Sequence, residues 1–297
     1  MVRNLKTEHR QAVNLTCRTL DVSRSGYYAW LIRPESERSC RNRELIDQLR
    51  RIHAESRGTY GSPRLLSSLA DEGVKTSRKR VARLMREAQI AGVAKRKFRV
   101  VTTDSNHDLP VAERIFQTEE PATWPTTPNA VWAGDITYVP TDEGWLYLSV
   151  FMDIFTRKIV GHAMEPHMKT ALISHSLDMA LMRQARNPDV PIVGHSDRGC
   201  QYASKTYRDQ LKSAKITASM SRRGNCYDNA YVESFFHSLK VELVHRQRFK
   251  TRDEARAAIF EYIEVWYNRR RKHSALGNIS PMAYEARHAH LAAGLAA

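Results

Sequence analysis

Trp132-Ala133-Gly134-Asp135-Ile136-Thr137-Tyr138-Val139-Pro140 is the stretch on which the fold turns. Trp132–Val139 is rich in the aromatic and β-branched residues that suit a pleated strand, and Pro140, which cannot donate to a ladder, is expected to end it. Asp142-Glu143-Gly144 makes a hairpin turn into a second strand, Trp145–Ile154, and Lys158–Met164 forms a third. The period then changes. Ala171–Gln184 reads as a helix, Val190–Gly194 as a short buried strand, Lys205–Ala214 as a helix and Thr217–Met220 as a strand, with a long helix from about Asn229. Three antiparallel strands followed by alternating helices and strands predict an α/β mixed sheet with helices on its faces.

Upstream the character is different. The 297 residues carry a formal charge of +15, and residues 1–100 hold 23 of the 47 Lys and Arg but only 10 of the 32 Asp and Glu. A basic surplus confined to one third of a chain points to a polyanionic partner there, which places a DNA-binding region in residues 1–100. Its pattern is all-helical. Gln11–Leu20 and Tyr27–Leu31 flank a Ser-capped turn, and Pro63–Glu72 begins with Pro in its first turn. Ser77 can cap a helix with Val81, Leu84, Met85 and Ala88 on one stripe and Arg78, Lys79, Arg80, Arg83 and Arg86 elsewhere. Lys95, Arg96 and Lys97 follow. Two helix–turn–helix pairs with a cationic front are suited to lie along DNA.

Residues 101–129, interrupted by Pro110, Pro121, Pro125 and Pro128, read as a linker. Residues 130–245 form the expected core, and 246–297 a basic C-terminal helical region in which Arg252–Lys272 is one amphipathic helix. Four cysteines without a CxxC pair argue against a disulfide framework or zinc ribbon and fit a reducing compartment. No run approaches the roughly 20 apolar residues of a membrane span, and no signal sequence opens the chain, so a cytoplasmic protein is expected.

Three acids stand out from this background. Asp135 sits inside a strand, where an acid is disfavoured and expensive to bury unpaired. Asp197 follows a short apolar strand, at the carboxyl-end position where α/β sheets carry functional groups. Glu233 shares a helix face with Asn229, His237 and Lys240, at spacings of four, four and three. Singly, each can be a strand-end, turn or surface acid. Converging, they form a hard oxygen site for Mg²⁺ or Mn²⁺, because three neighbouring carboxylates resist ionisation unless a cation neutralises them.

The order and spacing of these acids resemble the DDE signature of retroviral-type integrases and bacterial transposases. The second-reading-frame transposase of the third insertion-sequence family resembles the chain more closely still. That resemblance rests on Trp132–Tyr138, on His195-Ser196-Asp197-Arg198-Gly199-Cys200-Gln201-Tyr202, on Ser219–Ala230, and on Tyr267-Asn268-Arg269-Arg270-Arg271-Lys272-His273-Ser274-Ala275-Leu276 with Ser280-Pro281. It implies an RNase H-like core. It also implies a metal-dependent enzyme that nicks DNA at an element end and joins the freed 3′-hydroxyl to another strand. Two Mg²⁺ ions, replaceable by Mn²⁺, are implied, with Asp135 bridging them and Asp197 and Glu233 taking one each. Lys240, His237, Asn229, Arg270, Arg271 and His273 are implied DNA contacts. Element ends and target DNA are the implied partners, with the upstream-frame protein and further copies of the chain, in the nucleoid of a bacterial cell.

Two other readings of the same residues are a non-catalytic DNA-binding regulator of transposition and a nuclease that only hydrolyses. Among the remaining residues, Asp153 is expected to pair with Arg157, His195 to shape a turn, Cys200 and Cys226 to pack, and His288 and His290 to be inert.

Overall fold

The computed structural model describes residues 13–93, 109–184, 191–222 and 229–289. Five strands, β1 (Val131–Thr141), β2 (Gly144–Asp153), β3 (Ile159–Glu165), β4 (Ile192–Ser196) and β5 (Ile216–Met220), form one mixed sheet in the order β3-β2-β1-β4-β5. β1, β2 and β3 are antiparallel neighbours, whereas β4 runs parallel to β1 and β5 parallel to β4. The strand does not stop at Pro140, which pairs in register with Trp145. β4 meets β1 only over Val131–Ala133, so Pro140 lies beyond the stretch where β1 is flanked on both sides.

Helices cover both faces. On one, α6 (Thr170–Arg183) and α7 (Lys205–Ser213) bury Leu172, Ile173, Leu177 and Leu211 against Trp132, Ile136 and Phe151. Gly161 is needed here, because a Cβ on it would lie 2.1 Å from the Ser176 carbonyl. On the other face, Ala133, Val139, Leu148 and Val150 pack with α8 (Ala230–Glu242) and α9 (Arg252–Glu261).

The N-terminal helices are α1 (Val13–Thr19), α2 (Arg24–Ile32), α3 (Glu37–Glu55), α4 (Ser62–Asp71) and α5 (Arg78–Glu87). Ser23, Ser36 and Ser77 accept backbone N–H bonds as caps; the sequence predicts Ser77 and a capping Ser in the turn that holds Ser23. The 19-residue α3 is the addition. Leu49, Ile52, Leu65, Leu69, Val81 and Leu84 make α3, α4 and α5 one unit.

This unit does not stand apart from the sheet. The Tyr60 hydroxyl accepts from the Lys272 amide at 2.7 Å, Lys272 Nζ reaches Ser67 at 2.8 Å and also Asp71, and Arg57 pairs with Glu261. The stretch read as a linker is likewise anchored to the sheet, at Ile115 and Phe116. The Ile115 and Phe116 amides donate to Ser219 Oγ at 3.0 and 3.2 Å, and Phe116 is buried. These bonds make the described part of it a strap along β5.

The predicted Arg252–Lys272 helix ends early. α9 widens into a π turn over Tyr262–Tyr267, and the chain then folds back through a His273–Ile279 bridge and a Met282 amide bond to the Asn268 carbonyl. A last helix, α10, spans Pro281–Arg287. Among the described residues, no helix is long and apolar enough to cross a membrane.

Candidate active site

Ala133 of β1 is the parallel partner of His195 of β4. Two residues further along each segment stand Asp135, within β1, and Asp197, just past the end of β4, close enough for the Asp197 charge to act on the Asp135 carboxyl. Asp135 Oδ1 accepts from the Ile136 amide at 2.8 Å, and Asp197 Oδ1 from the Gly199 amide at 2.9 Å. α8 brings the third acid. Asn229, at its start, donates from Nδ2 to the Gly134 carbonyl at 3.3 Å, which anchors the helix beside Asp135. Glu233 is one turn further along, and Lys240 two turns beyond it.

The electrostatics follow from this geometry. Burial pushes the Asp135 carboxyl well above the usual range; Asp197 and, more weakly, Glu233 add to the rise, against its own amide bond and Lys240. Glu233 stands at the rim, and partial shielding raises it too. Lys240 is lowered by burial, with Asp135 opposing, and its ammonium lies 5.1 Å from the Tyr138 ring centroid. Tyr202, which the sequence offered only as part of a motif, is buried near both aspartates; burial and their two charges raise its hydroxyl.

Asp135 and Asp197 are the inner pair, with Glu233 farther out. Among the described residues, no three His, Cys, Asp or Glu side chains yet close on a point that would hold an ion. The donors nevertheless fit a hard divalent cation. They are carboxylate oxygens, and the charges of Asp197 and Glu233 raise the proton affinity of Asp135, while the buried Asn229 Oδ1 beside them has no hydrogen-bond partner among the described residues.

The residues expected to touch DNA divide. Arg270 is exposed, and Lys240 and His237 are half-buried on α8. Arg271 has to be corrected, since it is buried and bound to Glu242. Burial holds His273 down to about 4, with Arg271, Arg157 and Arg64 adding, so it is neutral at pH 7 and no cation for phosphate. Asn229 ties α8 to β1. On α5, Arg78, Lys79 and Arg83 are exposed, while Arg80 donates from Nε and Nη2 to Asn42 Oδ1 at 3.1 and 2.8 Å. Lys95, Arg96 and Lys97 lie outside the described residues, as do Cys226 and His290.

Asp153 does not pair with the Arg157 side chain. It is buried and accepts from the Asn129, Phe155 and Thr156 amides and the Thr156 hydroxyl, while the Arg157 guanidinium lies 3.6 Å from the Tyr231 ring centroid. His195 Nδ1 meets Ser219 Oγ at 3.0 Å, the same oxygen that holds the strap, in keeping with a shaping role. Cys200 is exposed rather than packed. His288 packs against the Tyr284 and Phe155 rings.

Models of the integrase core domain match residues 125–226 and 233–288, and an HTH-like domain matches residues 41–98. The chain is 46% identical to the insertion element IS600 uncharacterized 31 kDa protein of Shigella sonnei, over 93% of this chain and 100% of that one. It is 42% identical to the transposase InsF for insertion sequence IS3A of Escherichia coli K12, over 92% of this chain and 94% of that one. Among solved structures, the catalytic core domain of BIV integrase aligns with 55% of this chain and 97% of its own, at 17% identity and a TM-score of 0.42.

Proposed function

Because the chain belongs to the IS3 family of DDE transposases, we propose that Asp135, Asp197 and Glu233 are its catalytic carboxylates. It is a DNA transposase, a polynucleotidyl transferase with an RNase H-like, integrase-type core and a helix–turn–helix region. The observation that supports the assignment of the three acids is the β1–β4 register, which sets Asp135 beside Asp197 under the helix that bears Glu233.

Asp135, Asp197 and Glu233 would hold the metal ions, two Mg²⁺ or Mn²⁺, between them. Bound there, divalent metal lowers the pKa of the attacking hydroxyl and stabilises the leaving oxygen. The protein's share is positioning. β1 and β4 fix the inner pair, Asn229 fixes the start of α8, and Lys240 offers a cation to the phosphate beside Asp135. Water opens one phosphodiester at the element end, leaving a 3′-hydroxyl. That oxygen then attacks a target phosphorus, one P–O bond forming as another breaks and the displaced oxygen leaving as a new 3′-hydroxyl.

In this reading residues 1–100 grip the element end and 101–129 join them to the core at 130–245. The 246–297 region braces both. Copies of the chain pair on the two ends with the upstream-frame protein, at the bacterial nucleoid. A supercoiled plasmid carrying the element, with Mg²⁺, tests the chemistry. Strand joining by the natural chain and none by Asp135→Asn is the expected result. Nicking without joining would instead make it a hydrolytic nuclease, and intact DNA a regulator.

A further inference from the structure

Trp124 sits in the strap, just after the short turn Pro121–Thr123, with 44% of its surface exposed. Single exposed aromatics are common and mean little alone. This one is held in place. Its Nε1 donates to the Thr118 carbonyl at 3.1 Å, and its ring stands perpendicular to that of Tyr231 at a centroid distance of 6.2 Å. Tyr231 lies in the first turn of α8, two residues before Glu233, about 3 Å from it along the helix axis and about 200° around it, so the two flank the same end of the helix from opposite sides.

Tyr231 is itself backed by the Arg157 guanidinium, 3.6 Å from its ring centroid. Arg157 has a left-handed backbone, φ 62°, which Asn or Gly would adopt more readily. The turn that imposes it is built on the buried Asp153, whose carboxylate binds the Phe155 and Thr156 amides. The same carboxylate binds the Asn129 amide, at the end of the strap that carries Trp124. One buried acid thus fixes both sides of the aromatic pair. Arg157 also lies within electrostatic reach of Tyr267 and His273.

A rigid, half-exposed indole with a cation-backed tyrosine beside it matches what an unpaired nucleobase needs: a flat surface for its ring and positive charge for its phosphate. We propose that Trp124, with Tyr231 and Arg157 behind it, is a stacking platform for an unpaired base of the DNA strand beside the end of α8 that bears Glu233. The proposal rests on the transposase reading for its choice of ligand. It predicts that the enzyme favours an end whose terminal pairs are already open.

The test needs no metal and no cleavage, so it can fail while the assignment of the three acids stands. The full chain is titrated, by anisotropy, with a 30-base-pair duplex and with the same duplex bearing a five-nucleotide single-stranded tail that contains 2-aminopurine. The natural chain should prefer the tailed probe and quench the 2-aminopurine. Trp124→Ala should weaken tailed-probe binding about tenfold, the scale of one base–aromatic contact, leave duplex binding unchanged and abolish the quenching. Trp124→Phe should restore most of both. Equal weakening on both probes would show that Trp124 only braces the strap, and no change on either would show that no base stacks there; each result overturns the proposal.

Discussion

Arg271 donates to both carboxylate oxygens of Glu242, from Nη2 at 2.7 Å and Nε at 2.9 Å, in a site where both side chains are buried. Glu242 ends α8, the helix of Glu233 and Lys240. It also accepts from the Tyr262 hydroxyl at 2.9 Å, and Arg64 of α4 stands 3.7 Å away. Burial works to raise the Glu242 carboxyl, but the Arg271 bonds and charge win, and it is held below the ordinary range. Three parts of the molecule, the helix–turn–helix unit, the helix that carries Glu233 and the C-terminal turn, therefore meet on one carboxylate.

Removing that carboxylate should leave Arg271 buried without its partner. Glu242→Ala is expected to cost about 3–5 kcal/mol, the scale for breaking a buried pair from one side. Glu242→Gln, which keeps an acceptor for Tyr262, should cost less. Urea unfolding measures both. A loss below about 1 kcal/mol in Glu242→Ala would mean that water screens the site and that the three parts are held elsewhere.

The strands were largely legible because hydrophobic period and turn residues are local, and Asp135 announced itself as an acid where a strand disfavours one. Asp197 and Glu233 needed only their strand and helix to be placed. What could not be read was which way charged and polar groups turn once packed. In Arg269-Arg270-Arg271-Lys272 all four look alike, yet the π turn before them sends Arg271 inward and leaves Arg269 and Arg270 outside. α3 hid because only Leu45, Leu49 and Ile52 are buried in a run dominated by charge. The strap read as a linker because its anchors are backbone amides donating to Ser219, and no side-chain pattern records such bonds.

Two buried groups give opposite pH dependences. His273 is held down to about 4 against an ordinary 6.5, so the unfolded chain binds a proton that the folded one refuses, and its contribution is lost as pH falls through that window. Burial pushes Asp153 up to about 6 from 3.8, so the folded chain keeps a proton that the unfolded one has released, and stability is lost as pH rises from about 4 to 6. Unfolding free energies of the natural chain, His273→Gln and Asp153→Asn at pH 4.5 and 6.5 separate the two. The natural chain's advantage over His273→Gln should grow with pH and its advantage over Asp153→Asn should shrink, each by about 2 kcal/mol at 1.4 kcal/mol per unit. Gaps that move in the same direction would contradict the assignment.

The cationic side chains of α5 should separate in the same way by orientation. Arg80 spends its guanidinium on Asn42 of α3, so Arg80→Ala is expected to destabilise the α3–α5 unit by about 1 kcal/mol, the net value of such bonds. Lys79 is exposed, and Arg83 makes only a 3.3 Å surface pair with Glu87 that contributes little to stability. If these two meet phosphates, each replacement by Ala should lower the slope of log binding constant against log salt by about 0.9, with thermal stability unchanged. Arg80→Ala should leave that slope alone. A slope that falls with Arg80→Ala and holds with Lys79→Ala and Arg83→Ala would mean that α5 presents a different edge to the DNA.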